Sequence, residues 1–367
     1  MHGSVDHKIY LQPLGFLRGC SAFQAVKEGH ARWLAGGALA FAMVKIIFRQ
    51  AAVRQGEVVV PIFRLADYLS DLASAQQDDI SRLLEQVTTP RPALACSGGT
   101  TLDWQKPLLQ GIVNVTPDSF SDGGRYGQRD PAIRHAHGLI QAGAEIIDIG
   151  GESTRPGAQK VSIQEELDRV IPVIEGLSDI SAPISIDSRN AEVMASALKA
   201  GASIINDVSA LTHDEAALEL VAEADCPVIL MHAQNSPDTM QQDPRYDDVV
   251  LDVYDYLEKR VAVCLAAGIE RDRLVIDPGI GFGKTVGHNI SLMNNLSLLH
   301  GLGVPILLGV SRKSFIGHIV SEEKPGDRLA GSLAFGQAGY DQGIQILRVH
   351  DVHASRQVRD IWQTLGN

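Results

Sequence analysis

The chain has 367 residues, 45% of them hydrophobic and 21% charged, with a formal net charge of −12. A chain of this length buries a core without needing disulfides or a structural metal. Its acidic surface with scattered cations disfavours a phosphate backbone, so no nucleic-acid partner is expected.

Residues 1–95 read as an N-terminal extension of unknown role. No basic segment leads into an apolar core and a small-residue cleavage site, so no secretory leader is expected. The longest apolar run, Ala35 to Phe48, is too short for a membrane span and contains Lys45, which predicts a buried segment and no membrane partner. EVVVPIF (57–63) reads as a short strand and LADYLSDLASAQQDDISRLLEQV (65–87) as helical. Pro90, Pro92, Ser97, Gly98 and Gly99 mark a loop-rich junction. Cys20, Cys96, Cys226 and Cys264 lack CxxC or paired spacing and read as free thiols of a reducing cytoplasm.

From residue 109 the pattern becomes a regular alternation. Short apolar runs each end on a polar cluster: GIVNVT (111–116), EIIDIGG (145–151), PISIDS (183–188), SIINDVS (203–209), PVILMH (227–232), LVIDPG (274–279), PILLGVS (305–311) and IQILRVHD (344–351). Amphipathic stretches such as 163–177, 191–201 and 247–268 separate them, several closing on a glycine (Gly143, Gly201, Gly268) as left-handed caps do. Eight apolar strands alternating with helices predict an α/β fold, a (β/α)8 TIM barrel over 100–367.

Such a barrel carries its chemistry at the C-terminal ends of its strands. Those ends are polar here: Asn114, Asp148, Glu152, Asp187, Asn206, His232, Asp277, Arg312, Lys313, Arg348 and His350. Asp187, Asn206 and Asp277 suit the donor–acceptor edge of a flat heterocycle, and a buried carboxylate calls for an N–H partner. Each of the three alone could equally cap a helix. Arg348 and His350, two apart on one strand, share a face and offer a planar cation and a switchable donor for stacking or diphosphate. Asn114 supplies a neutral oxygen usable as one ligand of Mg2+ whose other ligands are phosphate and water. DPGIGFGKT (277–285) fails the P-loop spacing at Pro278 and the dinucleotide-loop spacing at Lys284, so it reads as a tight turn that lets a ligand reach the backbone. SRKS (311–314) reads as an anion or carboxylate site.

NVTPDSFSDGG (114–124) and IDIGGESTRPGA (147–158), followed in order by SIDS, IND, LMH, DPGIGFGK, GVSRKS and RVHD, resemble the dihydropteroate synthases over roughly 100–367. The resemblance implies condensation of (7,8-dihydropterin-6-yl)methyl diphosphate with 4-aminobenzoate to 7,8-dihydropteroate in folate biosynthesis. It puts the pterin against Asp187, Asn206, Asp277 and Lys313 near Met231, Mg2+ at Asn114, and diphosphate at Arg348 and His350. Phe282, Lys313 and Ser314 would line the 4-aminobenzoate pocket. Thr154, Arg155 and Pro156, with Asp118, Ser119 and Phe120, would belong to two closing loops, and Lys313, Arg155 and Asp277 would be the catalytic set. A homodimer through the outer helices and sensitivity to sulfonamides are also implied. SIDSRN and HAQN depart from the commoner family forms. Two alternatives are a pterin-binding methyltransferase domain, which would not need the SRKS cations, and a non-catalytic pterin-binding paralogue.

Overall fold

The computed structural model describes residues 7–116, 129–152, 161–234 and 239–366. The chain begins with an antiparallel sheet. In chain order its elements are β1 (His7–Arg18), α1 (Gly19–Lys27), β2 (Arg32–Trp33), β3 (Leu39–Gln50) and β4 (Val53–Pro61). β3 is central, with β1 along one side and β2 and β4 along the other. From Leu39 on, the apolar run is therefore a largely buried middle strand, while Gly36, Gly37 and Ala38 before it are exposed. Its start and its middle pack differently: Ala40 clusters with Ala22 of α1, while Phe41, Val44 and Ile46 belong to the larger core. β1 was not foreseen, because Pro13 and Gly15 interrupt its pattern; an edge strand tolerates both. The helical stretch 65–87 is two helices, α2 (Leu65–Ser70) and α3 (Ser74–Thr88), divided where Ala73 turns extended and Gln77 Nε2 donates to the Leu72 carbonyl at 2.9 Å.

A small hairpin follows, β5 (Leu94–Ala95) and β6 (Thr101–Leu102). The barrel then alternates β7 (Leu108–Asn114), α4 (Arg129–Ala142), β8 (Ile146–Gly150), α5 (Ile163–Glu175), β9 (Ile184–Asp187), α6 (Ala191–Ala200), β10 (Ile204–Asp207), α7 (Ala217–Glu223), β11 (Val228–Met231), α8 (Val249–Ala266), β12 (Leu274–Asp277), α9 (Val286–Asn294), β13 (Leu307–Gly309), α10 (Ser314–Val320), α11 (Leu329–Tyr340), β14 (Ile346–Val349) and α12 (Val352–Gly366). All eight strands are parallel, and a bridge between Ile276 and Ile306 joins β12 to β13 and closes the cylinder. Gly143, Gly201 and Gly268 do take positive φ at helix ends. Inside the barrel, Leu108, Ile146, Ile204, Ile229, Val275, Leu307 and Ile346 form an apolar floor. Leu94, Cys96 and Leu102 of the hairpin pack under it and plug the lower end.

The N-terminal sheet docks on α8 and on the helical turn 296–302. Tyr10 lies edge-on to Tyr254 at 5.3 Å, both fully buried. Around them Lys8 pairs with Asp255 (2.6 Å) and Glu258, and Gln12 reaches Ser297 (3.2 Å). Arg91 donates to the His300 carbonyl at 3.0 Å. No helix among the described residues is long and apolar enough to cross a membrane.

Candidate active site

Side chains alternate along a strand, so the residue two beyond the floor again faces inward. Above Ile146, Ile204, Ile229, Val275 and Ile346 the next inward positions are Asp148, Asn206, Met231, Asp277 and Arg348. On β9, Ser185 is followed by Asp187. Register aligns Asn206 with Asp187 and Met231 with Asp277, so these four form one arc across β9 to β12. The period that builds the core also delivers the polar ring above it.

Arg348 is the hub. Its Nε donates to Asp148 Oδ2 at 2.6 Å and its Nη2 to Asp187 Oδ2 at 2.8 Å. Asn206 Nδ2 also donates to Asp148, at 3.3 and 3.4 Å. One guanidinium thus serves two carboxylates in a pocket where Asp148 is wholly buried. Burial, and then Asp148 nearby, push Asp187 above the usual carboxylate range against the pull of Arg348.

Asp277 Oδ1 accepts the Gly279 N–H at 2.7 Å, and burial raises its pKa although Lys313 opposes the shift. Gly279 has φ +65° and a Cβ there would meet the His232 carbonyl, so the turn requires glycine. Gly309 leaves room between Asp277 Oδ2 and Lys313 Nζ, each 3.8 Å from where a Cβ would be. Lys313, half-buried at the N-terminus of α10, donates to the Ile280 carbonyl and stands 4.5 Å from the centroid of the Phe282 ring. Burial lowers its pKa to about 8. Ser314 is exposed at the rim. His350 Nδ1 contacts Ser311 Oγ at 3.0 Å, just past the end of β14.

Not every polar strand end points into the mouth. Arg312, at φ +58°, forks onto Asp351 (2.8 and 2.5 Å), tying the loops after β13 and β14. Glu152 likewise receives both arms of Arg189 (3.2 and 3.1 Å). His232 is buried against Lys284 Nζ (2.9 Å); burial and that amine hold its pKa far below the usual value. Three residues matter more than their sequence context suggested. Asp148 anchors Arg348 and Asn206. Lys284 ties the glycine-rich turn by donating to the Gly279 and Phe282 carbonyls, each at 2.9 Å. Ser311 steadies His350. Only the inward phase of Asp148 gave a hint. Thr154, Arg155, Pro156, Asp118, Ser119 and Phe120 lie outside the described residues.

Asn114 ends β7, half-buried and in register with Gly150. Among the described residues no three His, Cys, Asp or Glu side chains gather as a metal cage. A single amide oxygen fits a cation that arrives with most of its oxygens on diphosphate and water.

Residues 110–350 match the family described as pterin binding enzyme. Dihydropteroate synthase from Escherichia coli strain K12 is 49% identical over 255 residues, covering 69% of this chain and 90% of that protein. The chain belongs to the dihydropteroate synthase family. A Neisseria meningitidis serogroup B dihydropteroate synthase is 49% identical over 276 residues, covering 74% of this chain and 96% of its own. A Xanthomonas albilineans dihydropteroate synthase solved with 4-aminobenzoic acid superposes with TM-score 0.71 at 46% identity, covering 75% of this chain and 98% of that one. Dihydropteroate synthases are transferases of folate synthesis, and this chain has their fold and their enzymatic function. The match begins at Gln110, so the N-terminal sheet lies outside it.

Proposed function

We propose that the barrel mouth joins (7,8-dihydropterin-6-yl)methyl diphosphate to 4-aminobenzoate, giving 7,8-dihydropteroate and diphosphate. The observation that carries this reading is the inward arc of acceptors, Asp187, Asn206 and Asp277, set across from a lysine that lies over Phe282. A related enzyme solved with 7,8-dihydropteroate, at TM-score 0.68 and 44% identity, supports it.

In this reading the pterin's N–H edge takes the acceptors of Asp187, Asn206 and Asp277, with its ring against Met231. An N–H at Asp187 replaces the Arg348 bond there and turns that cation toward the diphosphate, beside His350. Mg2+ held by Asn114 and the diphosphate would further neutralise the leaving group. The methylene C–O bond breaks as the arylamine forms the C–N bond, and the resulting ammonium loses a proton to solvent. An electron-rich dihydropterin stabilises the cationic methylene, so no strong base is required. Lys313, with Phe282 and Ser314, orients the aminobenzoate. Thr154 and Arg155 enter from the family resemblance alone, as parts of a loop that would exclude water.

Diphosphate release that depends on added 4-aminobenzoate, measured with and without Mg2+, tests this. Release independent of 4-aminobenzoate would overturn it, and turnover untouched by chelation would remove the metal. A related Yersinia pestis enzyme has been solved with a sulfonamide drug. Sulfonamide inhibition that rising 4-aminobenzoate overcomes is expected here too, because a hydrophobic pocket separates near-isosteres weakly. We also propose a homodimer in the cytoplasm. Exposed Ile319 and Val320 on α10 and Ile361 and Leu365 on α12 support self-association, which light scattering checks.

A further inference from the structure

We propose that the N-terminal sheet positions the aminobenzoate side of the site, with Arg49 and Arg54 acting through the start of α8. The proposal rests on the reading of Phe282 and Lys313 as that side. Arg49 is buried, and its guanidinium holds Asp252 Oδ1 at 2.5 Å and Asp255 Oδ2 at 3.0 Å. The second oxygen of Asp252 accepts the backbone N–H groups of Asp247 (3.0 Å) and Asp248 (3.1 Å). Arg54 grips Asp248 Oδ2 through Nε (3.2 Å) and Nη2 (2.6 Å). Asp248 Oδ1 meanwhile caps α8 at Val250 and Leu251. Two arginines from outside the barrel thus fix both the cap of α8 and the turn before it.

That turn walls the glycine-rich loop. The Tyr246 hydroxyl donates to the Gly283 carbonyl at 2.8 Å, and Gln241 Nε2 to the Gly281 carbonyl at 2.6 Å. These two carbonyls flank Phe282. Gln234, bonded to Arg245 in both directions (2.8 and 3.1 Å), lies so close that a Cβ on Gly283 would be 2.8 Å from its carbonyl oxygen. From Arg49 to the ring under Lys313, each link is a hydrogen bond or a covalent step. A helix N-terminus attracts anions and disfavours cations. Arginines brought to that helix end, paired there with Asp248 and Asp252, are costly for a mere cover, whereas a clamp on the turn needs them.

The test is steady-state kinetics of full-length Arg54→Gln, which alters a partly exposed side chain, alongside Arg49→Gln. The KM for 4-aminobenzoate should rise about 3- to 10-fold, with kcat and the KM for the pterin diphosphate within about twofold of wild type. Arg49→Lys should restore part of the loss. Tyr246→Phe should mimic it, and Arg54→Gln combined with Tyr246→Phe should be less than additive. Leu83→Ala, in the α3 core, serves as the control: it should lower Tm and move neither KM. The proposal is overturned if both KM values stay unchanged, if they move together, or if Leu83→Ala shifts the aminobenzoate KM equally. Absence of 4-aminobenzoate-dependent turnover in the wild type would instead sink the functional reading beneath it.

Discussion

Two regions of this molecule bring distant charges together, and they do so differently. Where the N-terminal sheet meets α8, the donors Lys8, Tyr10, Arg49 and Arg54 meet the carboxylates of Asp248, Asp252, Asp255 and Glu258. Each charged group there has a partner of opposite charge. Inside the barrel one guanidinium serves Asp148 and Asp187, and Asp277 has a backbone N–H and a nearby lysine. Acceptors outnumber donors in a place that water reaches poorly. Docking surfaces are balanced when the fold is made, whereas a binding site keeps an imbalance that its ligand completes.

The sharpest break of this contrast is Lys313→Ala. Loss of a cation that completes a ligand, and not a fold, should lower turnover on the order of 10²- to 10³-fold while Tm holds or rises. Near-wild-type turnover in a folded variant would remove Lys313 from the site. In the native enzyme its charge state also sets a pH limit. Burial puts its pKa at about 8, so kcat/KM should fall as pH climbs past that value. Stability runs the other way. A lysine with a lowered pKa contributes stability in its neutral form, present above its unfolded pKa and lost as pH falls through about 8. Asp187, with a raised pKa, contributes at low pH and loses that contribution as pH rises through its folded pKa. The charge states that bind substrate are those the fold tolerates least.

Arg348→Met removes the guanidinium that pairs with both Asp148 and Asp187 and should cost about 3–5 kcal/mol in urea unfolding near pH 8. The loss should shrink at pH 5, where the stranded Asp187 carboxyl takes up a proton. An equal loss at both pH values would show that the carboxylates are not the cause.

A chain starting near residue 95 should still turn over measurably, since every inward site residue lies beyond it. It should also be less soluble and melt earlier, because Tyr254 and the 296–302 turn lose their cover. Soluble, folded protein without any turnover would mean that the sheet does more than position a loop. The smallest effect belongs to Lys8→Ala. Its partners Asp255 and Glu258 are themselves partly exposed, so the pair should contribute about 0–1 kcal/mol, within the scatter of thermal melts.

The barrel was legible because its information is local. Eight β-branched runs with polar ends, and an inward period of two, suffice to put Asn206, Asp277 and Arg348 at one mouth. The N-terminal sheet was less so. β1 has no clean alternation, with Pro13 and Gly15 interrupting it, and its partner β3 lies well beyond it in sequence. Partnership across long sequence separations was also hidden. Nothing near Arg312 says that Asp351 neutralises it, and nothing near Asp148 says that Arg348 and Asn206 converge on it. A strand end shows that a polar group has arrived, while its partner depends on which loops the fold folds together.

The plug under the barrel has a consequence for traffic. With Leu94, Cys96 and Leu102 closing the lower end, the inward polar ring is reached from the mouth above it, which is its door. In the proposed reading, a pterin bound by Asp187 and Asn206 would enter past Phe282 and Lys313 before an aminobenzoate settles there. Arrival is therefore sequential, with the deep guest first. A compound lodged at the door blocks both passage in and passage out, so a tenant of the outer pocket can also trap what lies behind it.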